Sequence, residues 1–320
     1  MHLSHRLALA LAFTVASAAA IAQTDKPIRL LVGFAPGGSA DIAARLLADR
    51  MKDDLKQSVV VENRPGAGGR IVAEAIKNAP ADGSVLMLTP IVVTVLAPMV
   101  FSKLPYDPVA DFAPVAHVAN FQFAMSVAAT HPARNVQELV AWWKANPASA
   151  NFGSPAPGSL PHFFGIMIQK SAGLDLVHVP YNGGGPLMNA LMGNQVSSGI
   201  DTLVDQIELH RTGRVRLIAT SGAQRSPLLP EVPTFAEGGL KGVEGTSWFA
   251  VYAPARTPEP TVRQINAAIN KALAAPELRE RFIKLGLEPT GGTPADLAAR
   301  MAQDTARWGP IVQASGFKAD

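Results

Sequence analysis

From Lys26 onward, short apolar runs alternate with stretches of helical periodicity. "IRLLVGF" (Ile28–Phe34) has no polar alternation and predicts a strand buried on both faces. It is followed by Ile42, Leu46, Leu47 and Leu55 at near-helical spacing through Lys56. "SVVVEN" predicts a second strand, "NRPGAGG" a turn, residues from about Arg70 to Asn78 a helix, and "SVLMLTP" (Ser84–Pro90) a third strand. Strand, helix, strand in that order implies parallel pairing with crossover helices. The middle of the chain repeats the pattern. "ANFGS", "DLVHVPY", "SSGIDTLV" and "VRLIATS" predict four short strands, the first three each followed by a loop and a helical stretch. The tail from Pro258 to Asp320 reads as helical, with Thr293 as an N-cap before Pro294.

These elements fit an α/β fold of two lobes. The short apolar runs "FAMSVAA" and "SWFAVYAP" would carry the chain across near Phe123–Val127 and back near Trp248–Tyr252, forming a hinge. The boundaries follow: 23–124 plus 247–320 for a discontinuous first domain, and 125–246 for the second. A single doubly wound sheet is the rival arrangement. The first 22 residues lie outside either scheme. Arg6 near the start, an apolar run from Leu7 to Ala20 and the small-residue site Ala20-Ile21-Ala22 have the plan of a secretory signal peptide, too short for a membrane span. An uncleaved anchoring helix is the alternative. An exported, periplasmic protein is the expectation.

Composition narrows the chemistry. The 320 residues are 48% hydrophobic and 17% charged, which suits a well-buried core. The formal charge of +3 falls to +2 without Arg6, with cations scattered among acids, so no basic stripe suited to nucleic acid is present. There are no cysteines, which removes disulfides, thiolate metal sites and a cysteine nucleophile. The seven histidines form no His-x-x-x-His pair and no acid cluster has calcium-loop spacing, so neither metal nor cofactor is expected.

Parallel sheets bind ligands at the carboxyl ends of their strands, which directs attention to "APGGSAD", "SPAPGSLPH", "NGGGP" and "DTLVD". All four are rich in glycine, hydroxyls or acids, and none contains Lys or Arg. The first lacks the glycine spacing and lysine of a phosphate loop. Gly37, Gly38 and Ser39 at a helix start can present backbone N–H groups to a carboxylate. Equally, they can form a tight turn with Ser39 as a plain cap. Ser154, Ser159, His162, His178 and Asp201 supply the residue types of a catalytic triad, but no serine lies in Gly-x-Ser-x-Gly, and Pro155 offers no N–H to an oxyanion. A secreted serine hydrolase is therefore the weaker alternative. Trp142 and Trp143 read as packing residues.

"PIRLLVGFAPGGSADIAARLLA", "VVVENRPGAGG", "LPYDPVADFAPV", "HVPYNGGGP", "LPEVPTFAE" and "LEPTGGTPADL" together resemble the substrate-binding receptors of tripartite tricarboxylate transporters, the Bordetella uptake gene (Bug) family. The resemblance runs along the chain from about Lys26. It implies a two-lobed periplasmic-binding-protein fold (type II-like) with parallel-rich sheets joined by two crossover strands. It also implies a monomer, not an enzyme, that closes on a small organic carboxylate and delivers it to a membrane permease. The implied site residues are Phe34, Ala35, Gly37, Gly38, Ser39 and Asp41 in the first lobe. In the second they are Ser154, Ser159, His162, Tyr181, Asn182, Gly183, Asp201 and Thr202, with Asp201 accepting from a ligand hydroxyl, amine or bound water, or orienting neighbouring donors. Asn182 stands where the family commonly has lysine, and Ala156 where it often has glycine, which points to a less charged or aromatic acid. A periplasmic sensor with a membrane partner would show the same site.

Overall fold

The computed structural model describes residues 26–319; the expected leader, residues 1–22, lies outside them. The chain begins with β1 (Ile28–Val32), α1 (Ser39–Leu55), β2 (Val59–Asn63), α2 (Arg70–Lys77) and β3 (Val85–Pro90). Strand β1 pairs in parallel with β2 on one side and β3 on the other. Leu30, Leu31 and Val32 are buried, as expected of a strand covered on both faces. Helix α1 turns Ala40, Ala43, Ala44, Leu47, Met51 and Leu55 inward, an apolar stripe at three- and four-residue spacing, and it ends at Lys56 in the left-handed conformation.

After β3 the chain winds through a π-helical turn (Val92–Leu96) into the short α3 (Ala97–Val100), then enters β4 (Phe112–Ala128). This 17-residue strand starts within the Pro- and Asp-rich stretch and is much longer than the apolar run "FAMSVAA". Its first part pairs with β9 (Thr246–Pro254) and with β10 (Leu287–Pro289); its last part pairs with β7 (Gly199–Thr202) and β8 (Val215–Thr220). All four pairings are antiparallel, and β9 is antiparallel to β3 as well. With β5 (Asn151–Ser154) and β6 (Val177–Pro180), the fold is two parallel segments, β2-β1-β3 and β7-β5-β6, joined through an antiparallel centre.

The second segment carries α4 (Val136–Ala145), α5 (Leu160–Ala172), α6 (Gly184–Met192) and α7 (Leu203–Arg211), and the tail supplies α8 (Glu259–Ala274), α9 (Pro276–Lys284) and α10 (Pro294–Ser315). Caps fix several starts. Asn135 accepts from the Glu138 N–H, and Thr293 with Asp296 forms a reciprocal capping box at α10. Helix α10 is anchored to β9 by Asp304, which accepts from Trp248 Nε1 at 2.7 Å and from Arg300 Nε at 2.7 Å. Trp143 is buried and donates to Ser197 Oγ at 2.9 Å, while Trp142 lies edge-on to His131, so both tryptophans pack. One large hydrophobic core runs from β1 through β4 to β5, with smaller clusters beside α7 and under α6. No helix among the described residues is long and apolar enough to cross a membrane.

Candidate functional site

Four strands end at the same place. Loops from the carboxyl ends of β1, β5, β6 and β7 lead into α1, α5, α6 and α7, whose N-cap residues are Gly38, Ser159, Gly183 and Thr202. All four caps line one cleft holding about 640 Å³ of unfilled space, part of it open to solvent. Gly38, Ser159 and Gly183 make no side-chain bond to their own helices. Four converging helix N-termini concentrate partial positive charge from backbone N–H groups. Among the described residues no Lys or Arg lines the cleft. Apart from Ser247, the walls beyond the caps and acids are apolar, with Phe34, Ile91, Val92, Phe121, Phe123, Leu160 and Phe249 the large side chains.

Two acids stand among these N-termini. Asp201, at the end of β7, is buried; its Oδ1 accepts from the Thr202 N–H at 2.7 Å, and its Oδ2 has no hydrogen-bond partner among the described residues. Asp205, one turn into α7, reaches across the cleft to the first loop. Its Oδ1 accepts from the Ser39 N–H at 2.8 Å, and its Oδ2 accepts from Thr202 Oγ1 at 3.0 Å and Ser39 Oγ at 3.3 Å. Both carboxylates press on Gly184, where a Cβ would lie 2.4 Å from Asp201 Oδ2 and 2.5 Å from Asp205 Oδ2, so any larger residue there would have to push the two acids aside. Burial, and then the Asp205 charge, lift the Asp201 carboxyl well above its ordinary value. Burial also lifts Asp205, against the bonds from Thr202 and Ser39.

Of the residues expected from the sequence, Phe34, Ala35, Gly38, Ser39, Ser159, Gly183, Asp201 and Thr202 line this cleft. Tyr181 and Asn182 line an adjoining chamber. Asp41, Ser154 and His162 are buried behind the walls, and Gly37 is exposed outside the cleft. Asp41 Oδ2 accepts from the Gly37 N–H at 2.9 Å and from Arg45 Nε at 2.9 Å. Burial opposes its ionisation, but Arg45 and the Gly37 N–H outweigh that and hold its carboxyl below the usual range. His162 Nδ1 accepts from the Gly158 N–H at 3.1 Å, and its ring stacks on His178 with centroids 3.9 Å apart. Burial, with the neighbouring His178, pushes His162 down to about 3, and burial pushes His178 down to about 4, so both are neutral near pH 7.

Ser154 is fully buried, donates to the Ala156 carbonyl at 3.1 Å and lies 2.7 Å from His178 Nε2. Both contacts are satisfied when neutral His178 donates from Nε2 to Ser154 Oγ. No acid among the described residues bonds to His178, so this serine–histidine pair lacks the third group that would orient a base. Among the described residues no group of three or more His, Asp or Glu could hold a metal ion. Asp205 and the aromatic floor lie outside the residues expected from the sequence. The first had a signal, since "DTLVD" places an acid in the opening turn of a helix four residues after another; Phe121 and Phe249 had none beyond ordinary strand patterning.

Residues 43–317 match the model of the tripartite tricarboxylate transporter family receptor. The chain belongs to this receptor family. Like it in sequence is the protein BugT of Bordetella pertussis, 33% identical over 298 residues that cover 92% of this chain and 90% of the relative. Like it in structure is the periplasmic binding protein BugD, with a TM-score of 0.86, 32% identity and coverage of 91% of this chain and 98% of that one. R. palustris Rpa4515 with adipate is similar too, with a TM-score of 0.89, 31% identity and coverage of 92% and 99%. A receptor of this family is a solute-binding protein, and that accords with a cleft of helix N-termini and a serine lacking an activated base.

Proposed function

We propose that this receptor works in the periplasm, capturing a small organic carboxylate in the cleft and delivering it to the membrane subunits of a tripartite tricarboxylate-type transporter. The convergence of four helix N-termini on a cleft without Lys or Arg carries the reading. Such a cleft recognises one anionic head through main-chain donors and leaves the rest of the ligand to apolar walls. Phe34, Phe121, Phe123 and Phe249 suit an aliphatic or aromatic acid. The unit of residues 125–246 closes on the unit formed by 23–124 and 247–320, and the ligand favours closure by contacts it makes only in the closed state. Asp205 accepts from the Ser39 N–H, and a ligand carboxylate would compete with it for that donor. A proton on the Asp201–Asp205 pair reduces the repulsion between those acids and the incoming anion.

Titration calorimetry of the leaderless protein against aliphatic and aromatic carboxylates, with sugars and organic cations alongside, tests the reading. Carboxylates should bind and raise the melting temperature. Binding of a sugar or cation with no response to any acid would overturn it.

A further inference from the structure

Strand β4 changes partners between Gln122 and Phe123. Up to Gln122 it pairs with β9, whose first residue Thr246 lies opposite, and from Phe123 onward it pairs with β7 and β8. Buried Ser221 ties the two crossing segments together at that point. Its Oγ accepts from the Phe123 N–H at 3.0 Å and donates to the carbonyl of Gly245, just before β9, at 2.6 Å. Closure of the 125–246 unit on the rest of the chain has its pivot here.

Alternation of side chains along these strands puts the cleft on one face and a groove on the other. Phe123, Ser247 and Phe249 line the cleft, while Asn120, Gln122 and Thr246 line the groove, with Phe121 bordering both. The groove has about 980 Å³ of space unfilled by the described residues, including its open side. Gln224, Pro227 and Leu228 form one wall, and Ile283, Gly286 and Leu287 form the other. The walls meet at one place, since a Cβ on Gly286 would lie 3.7 Å from Leu203 Cδ2 and 3.9 Å from Leu228 Cδ1. Elsewhere they leave Gln224, Pro227 and Ile283 exposed. On the other side of the pivot Asp205 accepts from the Ser39 N–H at 2.8 Å, so the cleft is bridged while the groove behind it is open. Two bodies turning about a shared axis separate on one side as they approach on the other. Opening the cleft therefore brings Ile283 and Leu287 toward Gln224 and Leu228.

We propose that this groove is the clearance into which the receptor opens, so that side chains on its walls set how tightly a ligand is held without ever touching it. This rests on the reading of the cleft as a carboxylate site that two units close upon. A ligand gripped by the closed form binds with an affinity reduced by the fraction of free protein that is closed. Filling the groove obstructs the open form and raises that fraction. The coupling runs both ways, and a ligand in the cleft keeps the groove wide.

The chain has no cysteine, so a pair of labels can be placed at will. Gln224→Cys with Ile283→Cys puts nitroxides on the two walls at exposed positions, where folding is not at stake. Pulsed electron paramagnetic resonance should show the distance between them lengthen when adipate or benzoate, whichever calorimetry finds to bind, is added to the leaderless protein. In a second arm, Ile283→Trp and Gln224→Trp, which fill the groove from either wall, should each tighten binding of that acid by about threefold or more. An acid that binds while the distance shortens or stays the same would overturn the clearance and leave the cleft reading intact. A tryptophan variant that folds and binds no more tightly than the unaltered protein would overturn it as well. If neither acid binds, the cleft reading and the clearance fall together.

Discussion

The loops "FAPGGSAD" and "SPAPGSLPH" are built alike and used differently. Each places a left-handed glycine, Gly37 at φ +83° or Gly158 at φ +70°, directly before an extended N-cap residue, Gly38 or Ser159. Each braces that glycine's N–H with an acceptor four residues on: Asp41 Oδ2 in the first, His162 Nδ1 in the second. The difference lies in what the brace is and what the loop faces. Asp41 is ionised and tied to the exposed Arg45, while His162 is neutral and stacked on His178. The first loop spends its Ser39 donors on Asp205 across the cleft, while the second turns the Ser159 hydroxyl back to its own Ala156 carbonyl at 2.6 Å. The first loop is thus held in part by its partner across the cleft, and the second holds itself.

The largest expected effect follows from that self-containment. His162→Ala removes a glycine brace and a stacked ring from the interior, and should cost about 3 kcal/mol in urea unfolding, against about 1–2 kcal/mol for Asp41→Ala. Equal losses would break the comparison. Next come the two glycines. Gly37→Ala meets nothing within 4 Å and should cost only the left-handed penalty of about 1 kcal/mol, whereas Gly158→Ala adds a 3.0 Å contact with Val100 and should cost about 2 kcal/mol or more.

Acid should separate the two sides in opposite directions. His162 and His178 are depressed in the folded state, so their contribution is complete above the unfolded value of about 6.5 and is lost as pH falls through about 4 and then about 3. Asp201 and Asp205 are raised, so their contribution is complete below about 3.9 and is lost as pH rises through the raised values. Asp201→Asn should therefore raise the melting temperature at pH 8 by roughly 2 °C, with the gain shrinking on acidification. A gain that grows as pH falls would contradict the shared burial of that pair. The smallest effect is expected of Ser39→Ala. Its hydroxyl bond to Asp205 is 3.3 Å long and the backbone bond remains, so ligand affinity should weaken by only about threefold, roughly 0.6 kcal/mol, as calorimetry would show.

What the chain announces in advance is local. The helix cap at Thr293, glycines at strand ends and apolar runs such as "IRLLV" are decided within a few residues, and the structure has them where the pattern places them. The antiparallel centre is not legible in this way, because the direction of β4 relative to β7, β8 and β9 depends on connections many residues long. The same limit governs the site. Gly38, Ser159, Gly183 and Asp201 are found from their loops, but the bond between Ser39 and Asp205 joins residues 166 positions apart. Ser154 and His162 carry the residue types of a binding loop, and only burial shows their hydroxyl and imidazole spent on Ala156, His178 and Gly158.

Because three of the four converging helices begin at residues that make no side-chain bond to their own first turns, the attraction for an anionic head resides in the main chain. Ordinary point substitution cannot delete a peptide N–H; only proline does so. The aromatic floor can then drift freely while the head-group grip persists. A lineage of such receptors can change its diet without first losing its hold on acids.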